Sequence, residues 1–204
     1  ALLPDGRYLV TERPGRMRFV DAKGKLSAPL ANVPKVFAEG QGGLLDVVLA
    51  PDFATSKKIY FSYAEPGSDG TAGTAAATAT LGDTALSNVR VIYRQEPKLD
   101  GSAHFGSRIV FDGHGHVFIS QGERQHRPLA QQLDKLQGKL VRLNLDGSIP
   151  RDNPFVKDAL ANIARGGYKE AFARIAYLLS RRGEPLDAAS ETFVGFLRPE
   201  TAGK

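Results

Sequence analysis

Over the first 155 residues of this 204-residue chain, apolar positions alternate with polar ones more often than they recur at helical spacing. Tyr8-Leu9-Val10-Thr11, Ile59-Tyr60-Phe61-Ser62 and Val117-Phe118-Ile119-Ser120 share one shape. Each is β-branched or aromatic, ends in Thr or Ser and opens into a polar loop, which predicts a strand. Each also follows a turn: Pro4-Asp5-Gly6, Pro51-Asp52-Phe53 and Asp112-Gly113-His114-Gly115. A second shape recurs in Gly15 to Val20, which runs into the turn Asp21 to Gly24, and in Gly138 to Leu143, which runs into Asp146-Gly147. Both alternate polar and apolar residues, as half-exposed strands do. Leu44 to Leu49 and Arg108 to Phe111 read as more buried strands, and Asn88 to Gln95 adds another alternating one.

Leu9, Tyr60 and Phe118 are spaced by 51 and then 58 residues. A four-stranded propeller blade with loop insertions occupies about 40–50 residues or slightly more. A β-propeller of about three blades is therefore one reading, and a β-sandwich is the other that the pattern leaves open. The pattern changes near Phe155. Residues 156–182 read as helical, with Tyr168, Phe172, Ile175 and Leu179 forming one apolar stripe and Gly183 and Pro185 ending it. The expected organisation is a β portion over residues 1–155 and an α-helical tail over 156–204.

Composition narrows the class without naming it. The hydrophobic fraction is 42% and the charged fraction 24%, ordinary values for a globular protein. The net charge of +5 would suit an anionic ligand. Nucleic acid is not expected, because the Lys and Arg are scattered and not interleaved with aromatics. The absence of cysteine excludes disulfides and thiolate metal sites. No run is long enough to span a bilayer, and no secretory signal is visible. Ala1 to Gly6 already read as a strand end entering a turn, so a natural start is expected to lie further upstream.

The sharpest chemistry lies in Gly101-Ser102-Ala103-His104-Phe105-Gly106-Ser107-Arg108, followed by Gly122-Glu123-Arg124. A histidine entering a strand from a Gly/Ser loop is suited to general-base work. An antiparallel return would bring Glu123 to the same end of the sheet, where a carboxylate would orient the imidazole. A loop histidine with a structural hydrogen bond is the plain alternative. Glu39-Gly40-Gln41-Gly42-Gly43 would let backbone approach a ligand, with Gln41 offering donor and acceptor; a simple turn before a strand fits it as well. His114 and His116 share a turn but lack a third ligand nearby, so no metal site is expected there. His126 reads as solvated.

Taken together, several stretches resemble the glucose/sorbosone dehydrogenase family, in particular its soluble aldose sugar dehydrogenases. They are Leu3 to Gly15, Gly40 to Asp46, Arg94-Gln95-Glu96-Pro97, His104 to Arg108, Gly122-Glu123-Arg124, Leu133 to Lys139 and Asp152-Asn153-Pro154-Phe155. The resemblance implies a six-bladed-type propeller, a pyrroloquinoline quinone (PQQ) cofactor with calcium beside it, oxidation of aldose sugars at C1, and a periplasmic home. It makes His104 the catalytic base, Glu123 its acidic partner and Gln41 a substrate-side residue. The Arg-Asn-Pro-Gln-Gly motif that the resemblance predicts after Val156 does not occur, nor do the later cofactor-gripping cations or the calcium segment. Cofactor-binding residues and calcium ligands are thus unassigned in this chain. Two functions follow as expectations: a quinone-dependent sugar oxidoreductase, inactive if isolated from its missing part, or a non-catalytic partial propeller that binds or assembles. A homodimer or a partner chain would complete the propeller in either case.

Overall fold

The computed structural model describes residues 1–132 and 134–153. The helices expected over 156–182, and the rest of the tail, lie outside the described residues. Among the described residues, nine strands form three successive antiparallel sheets. The first pairs β1 (Tyr8–Glu12) with β2 (Arg16–Val20). The second is a complete four-stranded meander of β3 (Leu44–Leu49), β4 (Lys58–Pro66), β5 (Ala72–Leu81) and β6 (Leu86–Arg94). The third runs β7 (Gly106–Phe111), β8 (His116–Gln121) and β9 (Leu140–Asn144). A single helical turn α1 (Phe53–Ser56) lies between β3 and β4, and a 3₁₀ turn at Arg127–Gln131 precedes β9. No helix among the described residues is long and apolar enough to cross a membrane.

The packing separates the propeller from the sandwich. A sandwich has two layers and one core between them. Here the middle sheet is covered on both faces. Ile59, Phe61, Tyr63, Ala75, Ala77 and Ala79 face Leu9, Met17 and Phe19 of the first sheet. On the other face, Tyr60, Ala76, Ile92 and Tyr93 meet Ile109, Val117, Ile119, Val141 and Leu143 of the third. The opening strands of successive sheets touch, β1 against β3 and β3 against β7. Face-to-face up-and-down sheets whose first strands gather on one side are successive blades of a propeller.

Two features depart from the sequence reading. β5 carries the run Ala-Gly-Thr-Ala-Ala-Ala-Thr-Ala-Thr-Leu, and nothing in the pattern marked it as a strand. Alanine is a poor strand former, yet β5 pairs with both β4 and β6 and is buried over eight successive residues. Its small side chains leave room on each face for the aromatics of β4. Meanwhile β3 and β7 each have only two fully buried residues, Leu44 and Val47 in β3 and Ser107 and Ile109 in β7, and are not the more buried strands expected. Each is the first strand of its sheet, with one edge unpaired within that sheet.

Candidate active site

The site lies where β7 begins and β8 ends. The antiparallel pairing sets Gly106 opposite Gln121, so the loop before β7 and the loop after β8 lie side by side. Their backbones come very close. The Gly122 N–H donates to the Phe105 carbonyl at 3.0 Å, and the Arg124 N–H to the His104 carbonyl at 3.2 Å. This contact is why glycine stands at 122: a Cβ there would overlap the His104 carbonyl. Gly106, in the left-handed region at φ +72°, is equally crowded by the backbone of Ser120 to Gly122.

This approach brings His104 Nδ1 into a hydrogen bond with Glu123 Oε1. A carboxylate can only accept, so Nδ1 carries the proton and Nε2 is left as the base. The His104 side chain is 42% exposed and that of Glu123 22%, so the ring is open to solvent while the carboxylate is more enclosed. Burial pushes the Glu123 carboxyl up, but the hydrogen bond from His104 and backbone amides outweigh it and hold the group below the usual glutamate value. It stays a carboxylate and stabilises the imidazolium that proton uptake would form.

Gln41 reaches the same point from the first loop. Its Oε1 accepts the backbone N–H of His104 at 2.9 Å, and its own N–H donates to the Ser102 carbonyl at 2.7 Å. Gly40 (φ +51°) allows this, since a Cβ at 40 would meet Ser102. Arg13 Nη1 holds the loop by donating to the carbonyls of Ala38 (2.8 Å) and Gly40 (2.9 Å). The three residues singled out from sequence, His104, Glu123 and Gln41, thus meet.

Supporting residues were missed. Thr74 Oγ1 donates to the Phe105 carbonyl at 2.6 Å, and Gln95 Nε2 to the Gly122 carbonyl at 3.0 Å. Asp46 on β3 accepts the Ile109 N–H at 2.9 Å and Arg108 Nη1 at 3.0 Å, fixing β7 to the middle sheet. Thr74 sits inside the alanine run, so overlooking β5 concealed it. Of the other histidines, His116 is at the opposite end of β8, with Nδ1 2.7 Å from Asp112 Oδ2 and Arg142 beside the ring. His126, expected to be solvated, is part-exposed and 3.1 Å from Asp100 Oδ1.

Fold and site define a class first: part of a β-propeller carrying a histidine–carboxylate pair where the opening strand of one blade begins. The family described as Glucose / Sorbosone dehydrogenase matches residues 1–172. The Aldose sugar dehydrogenase YliI of Escherichia coli (strain K12) is 56% identical over 162 residues, which are 78% of this chain and 44% of YliI. The apo-form crystal structure of the soluble aldose sugar dehydrogenase from Escherichia coli superposes with a TM-score of 0.74 at 56% identity, covering 77% of this chain and 46% of that one. The PQQ-bound aldose sugar dehydrogenase of Streptomyces coelicolor gives 0.65 at 29% identity, covering 76% and 46%. The chain belongs to the glucose/sorbosone dehydrogenase family. It spans less than half the length of YliI.

Proposed function

We propose that this chain is the proton-handling part of a PQQ-dependent oxidoreductase that oxidises aldose sugars at C1, with His104 as general base. The observation that carries this reading is a part-exposed imidazole whose Nδ1 is hydrogen-bonded to the Glu123 carboxylate, which leaves Nε2 as the basic nitrogen. Nε2 takes the proton of the anomeric hydroxyl, and the Glu123 carboxylate stabilises the imidazolium. Gln41, anchored through its Oε1, keeps its amide N–H groups for the sugar's hydroxyls. PQQ, when bound, supplies the two-electron acceptor.

The described residues fit the proton chemistry better than the grip on a cofactor. PQQ is anionic, and Arg13, Arg108 and Arg124 at this end of the sheets are all engaged, Arg13 and Arg124 with backbone carbonyls and Arg108 with Asp46. We therefore assign the cofactor and calcium contacts to the part of the relatives' length that this chain does not span. A periplasmic setting, as the family resemblance implies, completes the proposal.

The test is dye reduction by glucose, with PQQ and Ca²⁺ supplied, by a hybrid in which this chain replaces the matching 44% of YliI. Turnover that falls by roughly 10²–10⁴-fold in His104→Ala is the expected result. Turnover unchanged by that substitution would remove His104 from the chemistry. A folded hybrid with no turnover would favour the alternative of a partial propeller that binds or assembles.

A further inference from the structure

We propose that Arg124 is a positioning residue that fixes His104 in register with Glu123. This rests on reading His104 and Glu123 as the working pair. Arg124 is 1% exposed, and among the described residues no carboxylate forms a salt bridge with it, Asp100 acting on it only through longer-range attraction. Burying a charge without a counter-ion is costly unless each donor finds an acceptor. Here the acceptors are carbonyls: Nε donates to Ala103 at 3.0 Å, Nη1 to Ala72 at 2.7 Å, and Nη2 to Gly101. Gly101 and Ala103 belong to the loop that carries His104, whereas Ala72 opens β5 in the middle sheet. The guanidinium thereby bolts that loop to the middle sheet.

Two more contacts tighten the same joint. The Arg124 guanidinium carbon lies 3.8 Å from the centre of the Phe105 ring, a cation–π stack on the residue after His104. The Arg124 backbone N–H reaches the His104 carbonyl at 3.2 Å. The backbone is meanwhile held where side chains rarely go. His104 (φ 55°), Arg124 (φ 56°) and Gln125 (φ 63°) are all left-handed. Such conformations are strained and persist only where surrounding contacts over-determine them. Arg124 supplies those contacts. Lysine could not, because these acceptors are met by three different nitrogens of the guanidinium, which the single nitrogen of an ammonium cannot replace, and an ammonium lacks the planar face that stacks on Phe105.

The test uses the full chain and needs no turnover, so it stands apart from the sugar-oxidation reading. Arg124→Lys keeps the charge and loses the fork. The readouts are the Glu123 carboxyl titration by ¹³C NMR and the His104 Nδ1–H signal by ¹⁵N NMR. In Arg124→Lys we expect the Glu123 midpoint to rise by at least about half a pH unit, because the hydrogen bond that lowers it is loosened, and the Nδ1–H signal to broaden. Leu143→Val, a mild core loss at the far end of β9, should leave both unchanged. A folded Arg124→Lys with both readouts unmoved would reduce Arg124 to a structural role and overturn the proposal. If that variant does not fold, Phe105→Leu decides, since it removes the stack and keeps the hydrogen bonds. A smaller shift in the same direction supports the proposal, and no shift overturns it.

Discussion

The carbonyl of His104 occupies the space that a side chain on Gly122 would need. This contact places the imidazole beside Glu123, because it fixes how near the loop before β7 comes to the end of β8. Gly122→Ala must therefore separate the two backbones. We expect a loss of about 2–4 kcal/mol, read by urea unfolding, together with loss of the His104–Glu123 contact. A variant of unchanged stability would show that the approach is looser than described.

Gln41 acts on His104 through one atom, and two substitutions isolate it. Gln41→Ala leaves the His104 backbone N–H without its acceptor, for a loss of about 1 kcal/mol and faster exchange of that amide. Gln41→Glu keeps the acceptor oxygen and should preserve amide protection while removing the N–H donors offered to a sugar. Equal exchange rates in the two variants would contradict this division of labour.

Lys139 provides a pH signature. Its ammonium is buried, and its Nζ donates to the carbonyls of Leu129 (3.0 Å), Ala130 (2.8 Å) and Gln137 (2.9 Å). Burial pushes its pKa down to about 8, with only Asp134 acting in the opposite direction. The folded state thus sheds this proton near pH 8, while the unfolded chain keeps it to the ordinary lysine value. The unfolded state binds more protons in that window, so stability rises with pH across it. Relative to Lys139→Met, the wild-type chain should gain on the order of 1 kcal/mol between about pH 8 and 9.5. Parallel stability curves for the two proteins would show that Lys139 is not desolvated.

Much of this was legible in the chain itself. The segments at Tyr8, Ile59 and Val117 announced β1, β4 and β8 because branched and aromatic residues run together there and end in Thr or Ser before a polar loop. The order of the His104 and Glu123 motifs implied their meeting, since an antiparallel hairpin returns its ends to one place. β5 was not legible, because alanine carries no strand signal and its burial depends on two neighbouring sheets. Nor were the contacts of Arg124, Thr74 and Gln95. They join segments some 20 to 50 residues apart, and each acts on a carbonyl, which sequence does not mark.

The most direct test of the central claim is the ¹⁵N spectrum of the His104 imidazole in the full chain near neutral pH. The neutral imidazole is expected to carry its proton dominantly on Nδ1, and to lose that preference in Glu123→Ala. A neutral imidazole protonated on Nε2, or a tautomer mixture indifferent to Glu123, would contradict it.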